Sequence, residues 1–240
     1  MPAKTLHRIF SICDLLEQRM SDAKYRKGER TKFRLMNSTA ELLNEHPFSE
    51  IRNLDISEHA GVAAGVVNTH FKDKRELVVA LLTFFMEQLE YEFSRYNTEQ
   101  GEEEDIYIRL FDTIHYVMRC AQNNLGLWRL LLNDLGEHPE LSKLYHKGIE
   151  YWSGYLSKQI PNQHGGKKIT QNDKKLMAIL LGGMLDDAMR FYFYSDSVIS
   201  NYPMEKVAEM IATLRYSAIF GEFPKPASIK KANLMAKRTL

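Results

Sequence analysis

The stretch Asp55-Ile56-Ser57-Glu58-His59-Ala60-Gly61-Val62-Ala63-Ala64-Gly65-Val66-Val67-Asn68-Thr69-His70-Phe71 reads as two short helices meeting at a sharp corner. Ile56 and Ala60 are four apart, on one face of the first helix, and Val67 and Phe71 repeat that spacing on the second. Gly61 stands where the first helix must stop and the chain must turn, a position that asks for positive φ and therefore for glycine. The small Ala60 lets the two helices cross closely, and Val62 can plug the gap beneath them. This is the pattern of a helix-turn-helix, whose second helix enters the major groove of DNA.

The residues that follow sharpen the reading. In Lys72-Asp73-Lys74-Arg75-Glu76-Leu77, Asp73 serves as an N-cap with Glu76 three residues on, which starts a new helix. Taken with Phe71 and Leu77, the series Ala-Gly-Val-x-x-Gly-x-x-x-x-x-Phe-x-x-Lys-x-x-Leu over residues 60–77 resembles the DNA-binding signature of the tetracycline-repressor (TetR) family of bacterial regulators. The resemblance covers residues 30–80. It implies an all-α fold: a three-helix head bearing the helix-turn-helix, joined to a larger helical bundle for effector binding and dimerisation.

Composition agrees with an ordinary globular protein, at 240 residues and 44% hydrophobic content. Cys13 and Cys120 have no metal-ligand spacing and point to a reducing compartment. No apolar run reaches the roughly 20 residues that span a bilayer, and Asp14, Glu17 and Arg19 interrupt any apolar centre in the first twenty positions. The expectation is a cytoplasmic protein with no membrane contact. No phosphate-cradling glycine loop, His-Glu-x-x-His or nucleophile elbow is present, and the histidines are scattered, so no enzyme, cofactor or metal is expected.

Net charge is only +1, but it is unevenly placed. Lys24, Arg26, Lys27, Arg30, Lys32 and Arg34 face a single acid, Glu29, in that interval. Such a cluster beside a helix-turn-helix is where phosphate contacts are expected.

Along the chain, Thr5–Met20 places Leu6, Ile9, Phe10, Cys13, Leu16 and Met20 at helical spacing, an extension ahead of the head. Residues 1–29 are read as this extension and its basic linker, and 30–76 as the DNA-binding head. Residues 77–221 are read as the effector and dimer domain, and 222–240, with Pro224 and Pro226, as a basic mobile tail. Within the head, Arg30–Glu45 is the first helix, ended by His46-Pro47, and Asn53 is taken as the N-cap of the second. A helix over 74–96 leads out of the head, and further helices follow over 106–122, 125–135, 139–159, 172–194 and 204–220, with no convincing strand.

The resemblance assigns base and phosphate contacts to Ala63, Ala64, Val66, Val67, Asn68, Thr69 and His70. The family often has Ser or Thr at 63 and 66, Tyr at 68, and Tyr or His at 70, so two hydroxyls and one phenol are missing here. Loss of an N-cap at 63 costs about 1 kcal/mol of local helix stability. Asn68 can pair with adenine or bond a phosphate, and Val66 or Val67 can touch a thymine methyl. His70 either donates to phosphate or caps the small core. Arg30, Lys32, Arg52, Asn53 and Lys74 complete the expected phosphate contacts, Lys74 in the first turn of its helix.

The resemblance also implies a homodimer that binds a palindromic operator on double-stranded DNA. The expected dimer face is Ile179, Gly183 and Met184 on one late helix, with Val207, Met210, Ile211, Leu214 and Ala218 on the other. A mainly apolar small-molecule effector is expected among Phe111, His115, Met118, Trp128, Trp152 and Tyr155, releasing the protein as a repressor. The alternative from another class is a dimeric adaptor or ligand sensor with this fold that lacks sequence-specific DNA binding.

Overall fold

The computed structural model describes residues 9–100, 105–133, 139–164 and 167–237. Eleven α-helices occupy nearly all of it, and the fold is all-α. A two-residue antiparallel pairing, Gln163–His164 with Lys167–Lys168, is the only strand structure among the described residues. No helix among them is long and apolar enough to cross a membrane.

The chain divides into two compact units. One comprises Phe10–Phe93 with Asn123–Tyr145. Here α1 (Ile12–Ser21) packs along α2 (Lys27–Glu45), followed by α3 (Asn53–His59), α4 (Val66–His70) and the start of α5 (Lys74–Gln100). The extension expected from Thr5 starts outside the described residues. Its helix begins at Ile12, because Ser11 is extended and its hydroxyl accepts the Asp14 N–H. Leu16, Leu35, Leu43, Ile56, Val67, Leu77, Leu81 and Phe85 are buried without exposure in this unit, so the apolar faces at helical spacing are the core.

Helix α7 (Leu125–Asn133) completes the same unit although it follows the end of α2 by some eighty positions, as the 82-residue separation of Gly126 from Asn44 shows. Asn124 is buried at its start. Its Oδ1 accepts the Ile12 N–H at 2.8 Å and its Nδ2 donates to the Phe10 carbonyl at 3.0 Å. Gly126 N–H donates to Asn44 Oδ1 at 2.8 Å, and the Arg129 guanidinium donates to the Leu43 and His46 carbonyls. Besides its own His46 N–H on the Leu42 carbonyl, the end of α2 is therefore capped by the Arg129 side chain of α7.

The second unit comprises Ser94–Gln122 and His146–Leu240. Helix α6 (Ile106–Gln122) is buried along most of its length, next to α10 (Met204–Phe220) and α9 (Gln171–Tyr194). Leu110, Leu156, Ile160, Ala178, Leu181 and Ile219 form one cluster of this core, with Leu156 contributed by α8 (Pro139–Ser157). Thr170 caps α9 by accepting the Asp173 N–H at 3.1 Å.

The stretch read as a mobile tail is instead helical: α11 spans Pro226–Ala236 and packs on α6. Pro226 sits in its first turn, where a missing N–H costs nothing, so a residue read as a breaker is a helix start. Ser228 donates to Asp105 Oδ2 at 2.5 Å, Asn233 bonds Glu209, and Ala232 and Ala236 are buried.

Candidate nucleic-acid interface

The corner is built as the spacing requires. Gly61 has φ +64°, one of two left-handed glycines among the described residues. Its N–H donates to the Glu58 carbonyl at 3.0 Å, and the Val62 N–H donates to that of Ser57 at 3.0 Å, which closes α3 and reverses the chain. Ile56, Ala60, Val67 and Phe71 are buried together in the head. Ser57, fully buried, donates to the Asn53 carbonyl at 3.0 Å and lies 3.2 Å from the Ala64 carbonyl, pinning the turn to α3. Sequence reasoning passed over Ser57. Its signal was a small hydroxyl on the inner face, four residues before the glycine.

The second helix is shorter than residues 63–70. It begins at Val66, with Gly65 in the N-cap position and no side-chain cap, while Ala63 and Ala64 lie in the turn. Exposed Asn68 and Thr69 are turned outward, as are Ala63 and Ala64. Val67 is not available to a thymine methyl: it has no exposed surface and belongs to the core, so Val66, half-buried, is the valine left near the surface. Thr69 donates its hydroxyl to the Gly65 carbonyl at 3.2 Å.

Asn68 is not alone on its face. Asn53 Nδ2 donates to Asn68 Oδ1 at 3.1 Å, linking the first turn of α3 to the exposed face of α4. Asn53 is therefore not the N-cap; that position is Arg52, whose N–H donates to Asp55 Oδ2 at 2.7 Å. The Arg52 guanidinium reaches the same carboxylate at 2.7 Å, and this pairing pulls the Asp55 pKa down to about 2. Arg52 remains exposed, and its charge is already partly answered by Asp55.

Lys74 has a different role from the one expected. Its ammonium donates to the Phe48 carbonyl at 2.8 Å and the Ile51 carbonyl at 2.5 Å, and lies 4.3 Å from the centre of the Phe48 ring. Burial lowers its pKa below the ordinary lysine value. It braces the loop between α2 and α3 rather than standing out at a helix terminus. His70 is half-buried, with its Cε1 3.9 Å from the position a β-carbon would take on Gly28. Lys32 Nζ lies 5.8 Å from the centre of the Phe71 ring. Arg30 is exposed but two residues past Gly28, and such residues do not share a helix face.

The other expected sites lie in both units. Phe111, His115 and Met118 are buried in the second, with Phe111 and His115 stacked at 5.8 Å. His115 Nε2 is 3.7 Å from Glu205 Oε1, beyond hydrogen-bond length. Burial is the main cause holding the His115 pKa below its usual value, against the opposing pull of Glu205. Tyr155 donates to Asn97 Oδ1 at 3.3 Å, and Trp152 meets Tyr151 edge-on at 5.2 Å. Trp128 instead belongs to the first unit, packed edge-on against Phe85 at 6.1 Å, and so is not grouped with them.

Of the residues expected to face a second copy, Val207 and Ile211 are each only 5% exposed and belong to the core of their own subunit. Met210, Leu214, Ala218, Ile179 and Gly183 are exposed, and Met184 is half-buried. Arg215, buried on α10, donates to the Leu181 carbonyl of α9 at 3.0 Å and fixes the two helices together.

Comparison with known proteins places this geometry. Residues 35–81 match the model of the N-terminal region of the bacterial regulatory proteins of the tetR family. A nucleoid occlusion factor, SlmA, from Marinobacter nauticus is 32% identical over 111 residues, 45% of this chain and 55% of that protein. The corresponding factor from Alteromonas mediterranea is 27% identical over 117 residues, 48% of this chain and 58% of that one. The matched stretch thus spans little more than half the length of these relatives. Among solved structures, the fold is similar to the transcriptional regulator FadR from Bacillus subtilis in complex with stearoyl-CoA, with TM-score 0.61 and 19% identity over 78% of this chain and 98% of that one. A putative TetR-family regulator from Syntrophomonas wolfei gives TM-score 0.60 and 16% identity over 80% and 96%.

Proposed function

We propose, from the premise that residues 35–81 carry the head of the tetR family of bacterial regulatory proteins, that the chain is a dimeric, cytoplasmic transcriptional repressor. It binds a palindromic operator on double-stranded DNA and is released by a small, mainly apolar effector. The observation that carries this reading is the Gly61 corner, which leaves α4 with a buried Val67 face and an exposed Asn68 face. That is the division a recognition helix needs, one side holding the head together and the other reading base edges.

In this reading Asn68, braced by Asn53, reads a base, while Ala63, Ala64 and Val66 approach the groove without clashing. Thr69, His70, Lys32, Arg30 and Arg52 neutralise phosphate. Dimerisation is supported by the apolar rows left uncovered on α9 and α10: Leu176, Ile179 and Leu180 on one, Met210 and Leu214 on the other. Leu180 is 65% exposed and Met210 52%, a cost that a second copy would remove. For the effector, the stacked Phe111 and His115, with Met118, Trp152 and Tyr155, supply apolar walls and a few polar atoms. The Bacillus subtilis neighbour is named with stearoyl-CoA, so a long-chain acyl compound is the first probe to try.

Selection of bound duplexes from a random DNA pool tests the reading. The expected result is a two-fold symmetric site with half-sites about one helical turn apart. Recovery of no common sequence would overturn it.

A second reading takes up the role named for the Marinobacter nauticus relative, nucleoid occlusion, favoured by its 32% identity over 111 residues. There DNA binding is retained and release by an effector is not its purpose. Mapping bound sites across a chromosome separates the two: one or a few promoters for a repressor, many dispersed sites for an occlusion factor.

A further inference from the structure

The segment between α1 and α2 is unusually well held for a linker of exposed residues. Asp22 ends α1 with its N–H on the Gln18 carbonyl at 3.1 Å, and its Oδ1 accepts the Lys24 N–H at 3.0 Å. Tyr25 N–H returns to the Asp22 carbonyl at 3.2 Å. The Tyr25 ring meets Phe33 edge-on at 5.0 Å, and its hydroxyl accepts from Arg19, whose guanidinium lies 5.4 Å from that ring and 5.9 Å from that of Phe84. Arg26 N–H then donates to Glu29 Oε2 at 2.9 Å and α2 begins.

This bracket fixes where the charges stand. Lys24 is turned back, paired with Asp22 at 2.8 Å and lying 5.0 Å from the Tyr25 ring centre. Arg26 and Lys27 are exposed, and no ion pair engages either among the described residues. They immediately precede Gly28, which faces His70, the last residue of α4: the His70 Cε1 lies 3.9 Å from where a β-carbon on Gly28 would stand. At 3.8 Å per residue, both are within about 8 Å of that contact along the chain. Two unpaired cations therefore stand beside the end of the helix that enters the groove.

We infer that Arg26 and Lys27 form a phosphate-binding pair on duplex DNA, held beside the recognition helix by the Arg19–Tyr25–Phe33 bracket of the N-terminal extension. The pair engages the sugar-phosphate strand bordering the groove that α4 enters, and it reads no base. Tyr25 and α1 are positioning elements: they hold the two charges in place before DNA arrives, so little ordering is required on binding. This rests on the DNA-binding reading above, and it assigns the extension a purpose that the head alone does not need.

The test uses the full chain with two duplexes, one carrying the selected site and one of scrambled sequence, titrated at several salt concentrations. Each phosphate contact contributes a slope of about 0.9 in the logarithm of affinity against that of salt. Arg26→Gln/Lys27→Gln is expected to reduce that slope by roughly 2 per bound subunit on both duplexes, with the preference between them unchanged. Tyr25→Ala is expected to weaken binding to both at every salt concentration. Hydroxyl-radical footprinting of the unaltered protein is expected to protect backbone positions just outside the groove occupied by α4, and to lose that protection in the double variant. An unchanged slope and footprint in the double variant, while the parent binds normally, overturns the inference. A parent that prefers neither duplex but still loses slope on substitution overturns the sequence-specific reading and leaves this one standing.

Discussion

A β-carbon built on Gly126 would lie 2.4 Å from the Leu43 carbonyl carbon and 2.5 Å from its oxygen, so α7 crosses α2 backbone to backbone. Gly126→Ala must push the helices apart or distort one of them. Overpacking of this kind costs about 1–3 kcal/mol, and the obstacle is main chain, which cannot rotate away. A loss in that range by urea denaturation is expected. Gly182 and Gly183 on α9 meet nothing within 4 Å, so alanine there is expected to raise subunit stability by up to about 1 kcal/mol each.

Asn68→Ala is expected to relax preference at one base position of the selected site, by about 1–3 kcal/mol of discrimination. Asn53→Ala removes the donor to Asn68 Oδ1 and should weaken the same preference to a smaller extent. Competition binding with single-base variants of the site measures both. If Asn53→Ala instead weakens all sequences equally, the amide pair does not orient the reading side chain.

Lys74→Met tests the bracing role of that ammonium. Two carbonyls, of Phe48 and Ile51, lose their donor, and about 1–3 kcal/mol of stability should go with them. Affinity for DNA is expected to fall with the folded fraction, while the salt slope is retained. A reduced slope with unchanged stability would return Lys74 to the phosphate contacts.

The buried His115 makes stability depend on pH. Its folded pKa is held below the ordinary 6.5, chiefly by burial, with Arg119 acting in the same direction and Glu205 against it. The unfolded chain therefore binds a proton more readily than the folded one. Stability is expected to be fully present above about pH 6.5, to decline as pH falls through that value, and to level off below the folded pKa. Melting temperatures from pH 7.5 to 5 should show this decline, and His115→Gln should flatten it.

Leu180→Asp and Leu214→Glu place a charge in each exposed apolar row. Sedimentation of the double variant is expected to give monomers that remain folded, with operator affinity reduced far more than non-specific binding.

How much of this was legible beforehand depends on whether the deciding contact was local. Gly61 announced itself because only glycine takes a left-handed corner cheaply, and the residues around it were spaced for two crossing helices. The exact start of α4 was not legible. Family spacing suggested residue 63, and it also assigned Val67 to DNA although the spacing to Phe71 already put that residue on the inner face, where it is core. On α10 the sequence shows apolar residues on two sides, and periodicity cannot say which side a partner covers; Val207 and Ile211 proved internal, Met210 and Leu214 external. Pro226 looked like a breaker because proline ends helices more visibly than it begins them. Nothing local to Asn124 pointed to the start of α1, nor anything local to Arg129 to the end of α2, since a side chain that bonds a helix end more than 80 positions away leaves no periodic mark.

That last junction bears on how the protein is made. Asn124 joins both the carbonyl of Phe10 and the N–H of Ile12, at separations of 114 and 112 residues. A chain leaving the ribosome N-terminus first thus presents α1 to α4 before α7, which packs on α2, has been translated. The first unit is therefore completed only when the chain is about half made, and a prematurely terminated product ending before Asn124 would emerge without the contacts that hold the start of α1 and the end of α2.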